Sequence, residues 1–153
     1  MGFGGSAGAA ILLVAAVASV GMLYTTSYNG FEQVQDATTA EEAGDLRTLN
    51  TEVTIQNVTH DATASTVSVT VQNAGSSTLS VADTDLLVNG LYQADGLSYT
   101  IDGPDGTLTA GSEGTDLWQP QENLTITADV TVDEPFTVKV VTGPGVAVTE
   151  GYP

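Results

Sequence analysis

The stretch TVSVTVQN, residues 66–73, decides the fold of this chain. Val67, Val69 and Val71 alternate in it with polar residues. Because successive side chains of a β-strand point to opposite faces, this alternation predicts a strand that buries one face and exposes the other. The stretch closes on the turn-forming residues Asn73, Ala74 and Gly75, so we expect the strand to end there.

Similar short patterns recur on both sides of this strand. Asn89 and Gly90 separate two apolar runs, and this pair predicts a hairpin because both residues tolerate positive φ. Turn residues also stand at 102–106 and 143–145. The other apolar residues that alternate or form short runs are Val53, Ile55, Leu79, Val81, Leu86, Leu87, Val88, Leu91, Tyr92, Leu97, Tyr99, Ile101, Leu124, Ile126, Ala128, Val130, Phe136, Val138, Val140, Val146 and Val148.

These patterns predict seven or eight short strands, about ten residues apart, within residues 51–153. Such a series is typical of an immunoglobulin-like β-sandwich, so we expect an all-β domain of this class. Trp118 is the only tryptophan and is expected in its core. The chain has no cysteine, so the Cys…Trp…Cys spacing of true immunoglobulin domains is absent and the prediction concerns architecture alone.

A different pattern occupies residues 1–31, which carry no charged side chain. Residues 7–23 read AGAAILLVAAVASVGML. A helix from Phe3 to Tyr24 would span about 33 Å, enough for a hydrocarbon core of about 30 Å. Tyr24, Tyr28 and Phe31 suit the membrane–water boundary at its end. We therefore expect one N-terminal transmembrane α-helix, with the membrane-anchor residues Ile11, Leu12, Leu13, Val14, Val17, Val20, Leu23 and Tyr24.

Two other structures would account for the apolar segment. A cleaved signal peptide is disfavoured by the missing basic residues and by an apolar run longer than the usual ~7–15 residues. A buried core helix is disfavoured because a small domain of net charge −17 has little room to bury it. The expected organisation is a tail and transmembrane helix at 1–31, a stalk at 32–50 that is helical and then extended, and an outer β-sandwich domain at 51–153.

The charges are strongly one-sided, since 19 acidic residues stand against Arg47 and Lys139. An acidic surface repels polyanions, so the composition argues against nucleic acid as a partner. In molar salt the Debye length falls to about 3 Å, and the self-repulsion of the domain is screened. The composition therefore predicts a halophilic setting.

No constellation of residues predicts catalysis. His60 is the only histidine and has no nucleophile pattern beside it. Asp83 with Asp85, and Asp102 with Asp105, stand in loops of a kind that can bind calcium, but the complete calcium-loop pattern is absent. We therefore expect no enzyme, no catalytic residue, no cofactor and no metal site.

Two surface features are candidate sites. If residues 136–141 form an edge strand, their unpaired backbone would accept a strand from a partner or a second copy. The alternative is an ordinary paired strand, in which Lys139 points outward. Asn57 and Asn123 each begin an N-glycosylation acceptor pattern. The residues of the candidate interface are Phe136, Val138, Lys139, Val140 and Val141.

Four segments, in the same order along the chain, resemble the F-type archaellum-associated proteins (FlaF, also called ArlF) of haloarchaea. They are GFGGS at 2–6, TDLLVNG at 84–90, TDLWQPQENLTIT at 115–127 and VKVVTGPGVA at 138–147. The resemblance implies a membrane-anchored stator component of the archaellum, the rotary swimming filament of archaea, with its β-sandwich between cell membrane and surface layer. It also implies three partners: surface-layer protein, a sister stator protein and a second copy in a homodimer.

The main alternative is an archaellin or pilin-like filament subunit, which also places an apolar helix before a β-domain. Such subunits carry a basic residue before a processing-site glycine and a glutamate five residues into the mature chain. Here no basic residue precedes Gly8, and the first glutamate is Glu32, which counts against this alternative. A generic halophilic surface-binding module is the third alternative.

Overall fold

The computed structural model describes residues 3–103, 106–109 and 116–153. Two compact units divide the chain, Met1–Ala43 and Gly44–Pro153. The described residues of the first unit belong to a single long helix, and the second unit holds the last residues of that helix together with every described strand. The unit that contains the β-sheets therefore includes helical residues 44–49.

The helix α1 runs over Phe3–Leu49 and contains no proline. The expectation that the stalk becomes extended in its second part was wrong, because the helix passes through Gly44 and ends at Leu49. One glycine inside a helix costs only about 1 kcal/mol relative to alanine, which flanking helix formers can offset. Arg47 lies in the last turn, where a positive charge stabilises the negative end of the helix dipole.

Eleven strands follow in the described residues. Two of them, β7 and β8, were not expected. The strands are β1 (Val53–Asp61), β2 (Thr66–Asn73), β3 (Leu79–Ser80), β4 (Asp85–Val88), β5 (Leu91–Tyr92), β6 (Leu97–Gly103), β7 (Gly106–Thr109), β8 (Leu117–Trp118), β9 (Asn123–Asp129), β10 (Phe136–Val141) and β11 (Ala147–Tyr152).

Two antiparallel sheets form a sandwich. The five-stranded sheet has the order β1-β2-β9-β6-β7, the four-stranded sheet has the order β11-β10-β4-β5, and β3 pairs with β8 in a separate ribbon. With β1, β2, β4, β6, β9, β10 and β11 labelled A to G, the sheets read A-B-E-D and G-F-C, which is the strand order of a constant-type immunoglobulin domain. The predicted sandwich behind one N-terminal helix is confirmed.

The core lies between the two sheets and follows the alternation in the sequence. Val67, Val69 and Val71 are fully buried on β2, and the polar residues between them face outward. Opposite them, Val138 and Val140 of β10 are fully buried in the same cluster. The other buried apolar residues of this core are Val53, Leu79, Val81, Leu86, Val88, Ile101, Trp118, Leu124, Ile126, Ala128 and Phe136.

One buried polar residue, Asn73, joins the ends of several segments. Its Nδ2 donates to the carbonyl oxygens of Ser77 at 2.9 Å and Trp118 at 3.1 Å, and its Oδ1 accepts from the Gly75 N–H. The indole Nε1 of Trp118 donates to the Glu122 carbonyl at 3.0 Å, and the Asn73 N–H donates to the same oxygen. A buried carbonyl that loses its donor destabilises the fold, so this network fixes the connections around Trp118.

The predicted hairpin at Asn89 and Gly90 is confirmed. Both residues have positive φ, of 50° and 77°, and β4 pairs with β5 on either side of them. A two-residue turn with both φ values positive matches the twist of the flanking strands. The break at 143–145 also forms a hairpin, in which Gly145 has φ of 85° and β10 pairs with β11.

Candidate functional site

Helix α1 carries an apolar segment that is exposed on all sides. The eight candidate anchor residues between Ile11 and Tyr24 are each 66–72% exposed. In the described part of the chain this is the one helix long and apolar enough to cross a membrane, with a mean hydropathy of 2.1 in its most apolar window. The rings of Tyr24 and Tyr28 stack at 6.3 Å where this segment ends. A helix that is apolar on every side suits a lipid environment, whereas a helix on the surface of a soluble domain has one polar face.

Backbone hydrogen bonds fix the end of the helix to the sandwich. The Asn50 carbonyl accepts from the N–H groups of Ser76 at 2.9 Å and Ser77 at 3.2 Å. The Glu52 carbonyl accepts from Ala74 at 2.8 Å and from Gly75 at 3.0 Å. We call Asn50, Glu52 and residues 74–77 the helix-end clamp. It ties the residues that leave the helix to the turn after β2.

Replacing Gly75 with alanine is expected to weaken the clamp. A Cβ at this position would lie 2.5 Å from the Asn50 carbonyl oxygen and 2.6 Å from the Glu52 nitrogen, so the backbone must shift. Overpacking of this kind costs about 1–3 kcal/mol in unfolding free energy. Denaturant unfolding of the full chain in detergent and molar salt measures it.

Gly151→Ala is the matched control, because a Cβ there meets nothing within 4 Å and the φ of Gly151 lies outside the positive range. Equal unfolding free energies for the two variants would contradict the prediction.

A groove of about 1130 Å³ lies on the second unit, beside the helix end. It is lined by the last helical residues, including Arg47, by residues 77–85 and by the turn between β10 and β11. Leu117, 60% exposed, contributes an apolar wall, and Asp83 and Asp85 contribute carboxylates. The lining thus mixes both charges with apolar surface and favours no single class of ligand.

Strand β10 is not an edge strand, so the condition for strand addition at residues 136–141 is not met and the alternative, an ordinary paired strand, is the one observed. It pairs with β11 on one side and with β4 on the other, which leaves no free backbone ladder. Phe136, Val138 and Val140 are buried and Val141 is half-buried, so these side chains belong to the core and its margin. Lys139 is exposed, as the alternation predicts.

The two candidate glycosylation residues lie on the same sheet. Asn57 is exposed on β1 next to an irregularity in the pairing with β2. Asn123 is half-buried on β9, and its Oδ1 is enclosed without a hydrogen-bond partner. Their modification stays a prediction.

His60 lies in an aromatic cluster that joins β1 to β11. Its side chain is only 4% exposed, and its Nδ1 lies 2.8 Å from Glu134 Oε1. The His60 ring lies nearly perpendicular to the rings of Phe136 and Tyr152 in T-shaped contacts. The rings of Phe136 and Tyr152 stack on each other with their centroids 4.8 Å apart. These contacts indicate a structural role for His60, in packing β1 against β10 and β11 at one side of the sandwich.

Among the described residues, two pKa values depart from their ordinary range. The Ala64 and Thr63 N–H groups donate hydrogen bonds to the Asp61 carboxylate, and these bonds lower its pKa. The ionised carboxylate therefore stabilises the folded state at pH values above its ordinary pKa. This stabilisation is lost as the pH falls through the lowered pKa. Burial raises the pKa of Tyr99, with the charges of Tyr92 and Asp85 adding to the effect.

In the part of the chain that the structure describes, no group of three metal-ligating side chains occurs. Asp83 is exposed and Asp85 is half-buried. Asp102 accepts a hydrogen bond from the Thr107 hydroxyl, and Asp105 lies outside the described residues.

The outer face of the five-stranded sheet is covered by hydroxyl and amide side chains. Ser68 Oγ and Thr127 Oγ1 lie 2.8 Å apart, and Thr70 Oγ1 and Thr125 Oγ1 lie 3.1 Å apart. We call this surface the hydroxyl face. Its cross-strand rows are Thr59, Ser68, Thr127 and Ser98; Asn57, Thr70, Thr125, Thr100 and Thr109; and Thr54, Gln72, Asn123, Asp102 and Thr107.

Sequence reasoning missed this face, although the signal was present. The residues between the buried valines of β2 are Ser68 and Thr70, and those between the buried residues of β9 are Thr125 and Thr127. Alternation showed which positions face outward, but which strands lie side by side depends on pairings between distant segments.

A sequence model of the family described as archaeal-type flagellin matches residues 2–150. None of the curated protein sequences matches the chain.

Two solved structures from Sulfolobus acidocaldarius show limited similarity. The archaellum periplasmic stator protein FlaG is 16% identical with a TM-score of 0.41, and the match covers 67% of this chain and 99% of FlaG. A chain of the periplasmic stator complex of FlaF and FlaG is 18% identical with a TM-score of 0.40, and the match covers 65% of this chain and 87% of that one.

Proposed function

We propose that the chain, which belongs to the archaeal-type flagellin family, is a membrane-anchored stator component of the archaellum whose outer β-sandwich binds surface-layer protein. The apolar segment of α1 holds it in the cell membrane as a single-pass protein. The sandwich lies between the membrane and the surface layer, where it works with a sister stator protein. This function requires two attachments and no chemistry.

The observation that carries the proposal is the uncharged, all-round exposed segment of α1 ahead of a strongly acidic domain. Its anchor residues are more than 65% exposed, a state that apolar side chains do not keep in water. A helix of this length suits a bilayer.

A filament subunit is the second candidate, and the family description favours it directly. Filament subunits would bury the same apolar helix against copies of itself instead of lipid. The absence of any charged side chain in residues 1–31 fits both environments. The two candidates differ in their partner, which is surface-layer protein for a stator component and the filament for a subunit.

The test is a pull-down with the full chain in mild detergent and molar salt, against purified surface-layer protein and against purified filament. We expect retention of surface-layer protein and not of filament. The Trp118→Ala variant, which removes a core residue, controls for binding by unfolded chain. Retention of filament alone would establish the second candidate, and retention of neither would remove both.

A further inference from the structure

The two N-glycosylation acceptor patterns lie on the hydroxyl face, but in different surroundings. Asn57 belongs to β1, the first strand of the five-stranded sheet, and among the described strands β1 pairs with β2 on one side only. Asn123 belongs to β9, which pairs with β2 on one side and with β6 on the other. The first asparagine therefore has a neighbouring strand on one side, whereas the second has a strand on each side.

The first acceptor pattern is open to solvent. Asn57 and Thr59 are both exposed, and because they stand two residues apart on a strand, their side chains point to the same face. Among the described residues, neither side chain has a hydrogen-bond partner. The pairing with β2 shifts between Ile55 and Asn57, so the strand is irregular immediately before the acceptor. An enzyme can therefore reach the amide and the hydroxyl without breaking a side-chain hydrogen bond.

The second acceptor pattern is closed by its neighbours. Asn123 is half-buried, its Oδ1 is enclosed, and it stands between Gln72 and Asp102 of the adjacent strands. Thr125 is also half-buried, and its Oγ1 lies 3.1 Å from the Thr70 hydroxyl. A sugar on Asn123 would displace these neighbours in the folded sandwich, whichever stage of synthesis attached it. The folded domain thus accommodates a sugar at the first pattern and not at the second.

We propose that Asn57 carries an N-linked glycan in the native protein and that Asn123 stays unmodified. The donor is an oligosaccharide joined through phosphate to a membrane lipid. Asn57 Nδ2 forms a bond to the anomeric carbon of the first sugar, while the bond from that carbon to the phosphate oxygen breaks. The lipid phosphate leaves with the electron pair, and the amide loses one proton to the transferring enzyme. The step is a substitution, in which no atom is oxidised or reduced.

The inference goes beyond the proposed function and shares with it only the placement of the sandwich outside the membrane. An N-linked glycan is bulky and keeps the surface beneath it hydrated. Attached to Asn57, it would cover the part of the hydroxyl face around β1. A protein that binds the sandwich would then contact another of its surfaces.

The scarcity of basic residues makes the modification simple to locate. Trypsin cuts after arginine and lysine, and the chain contains one of each, Arg47 and Lys139. Digestion of the denatured chain therefore releases residues 48–139, which hold both acceptor asparagines and none of the apolar segment of α1. From native protein purified out of the cells that produce it, this fragment should exceed its polypeptide mass by whole sugar residues. Further cleavage at acidic residues releases 53–61 and 123–129, and the added mass should stay with 53–61.

Variants of the full chain made in the same cells test the assignment. Asn57→Gln keeps an amide that the pattern does not accept, and Thr59→Ala removes the hydroxyl, so both should yield fragment 48–139 at its unmodified mass. Thr59→Ser keeps the hydroxyl and should keep the glycan. Thr125→Val is the matched control, because it removes the second pattern with a side chain of similar volume and should leave the added mass unchanged. Trp118 fluorescence reports that each variant remains folded.

Three results would overturn the inference: an unmodified fragment from the native protein, a glycan on Asn123, or a glycan that persists in Asn57→Gln. The same samples separate this inference from the proposed function. A glycosylated chain that fails to retain surface-layer protein would remove the proposed function alone. An unmodified chain that retains surface-layer protein would remove this inference alone.

Discussion

Replacing Trp118 with alanine is expected to lower the free energy of unfolding by about 3–5 kcal/mol. Trp118 is completely buried in the core cluster, and deletion of its ring leaves a cavity between the sheets. The change also removes the hydrogen bond from its Nε1 to the Glu122 carbonyl, which the Asn73 N–H then satisfies alone. The two losses add, so this is the largest single-residue effect that we expect in the sandwich.

Denaturant unfolding of the full chain in detergent and molar salt measures this effect. Trp118→Phe is the control, because it keeps most of the apolar volume and loses only the indole donor. We expect it to be destabilised by less than half as much as Trp118→Ala. An alanine variant within about 1 kcal/mol of wild type would mean that the core collapses around the gap, contrary to the prediction.

Placing arginine at both Val14 and Val17 is expected to abolish membrane association. Both residues lie near the middle of the apolar segment and are exposed at 69% and 66%. Each arginine at the centre of a membrane helix costs about 2.5–3.5 kcal/mol of insertion free energy, so the pair costs roughly 5–7 kcal/mol. That exceeds what the segment gains from the bilayer, because each central leucine, isoleucine or valine contributes only about 0.3–0.6 kcal/mol. The protein should therefore leave the membrane fraction.

Val34→Arg is the matched control for this pair. Val34 is exposed on the same helix at 66%, but it follows the first acidic residue and lies beyond the apolar segment. The control should remain in the membrane fraction after alkaline washing, whereas the double variant should be soluble or degraded. A double variant that stays in the membrane would place the anchor elsewhere.

Local patterns in the sequence predicted the local structure well. The strict alternation of residues 66–73 gave a strand with one buried face, and Asn89 with Gly90 formed the expected hairpin. These features depend on neighbours in the chain, because side-chain period and turn geometry are set within a few residues. The number and spacing of the strands predicted the class of fold, but the order of the strands within each sheet could not be predicted.

Features that depend on contacts between distant segments could not be predicted from the sequence. Asn73 looked like a turn residue, but it is fully buried because the carbonyl of Trp118, 45 positions further along the chain, accepts its amide. Likewise β10 looked available as an edge, but pairing with β4 places it inside its sheet. Neither partner can be inferred from the residues beside Asn73 or within β10.

The helix-end clamp and strand β1 together determine how the domain responds to mechanical force. Chain leaving the clamp enters β1 at Val53, and β1 forms eight registered pairs with β2. Ladder hydrogen bonds of antiparallel strands run perpendicular to the strands, so a pull along β1 loads all of them in shear at once. A pull across the strands would open them one after another. The β1–β2 pair therefore resists a pull along β1 more strongly than a pull across the strands, which is the property that the proposed stator role requires.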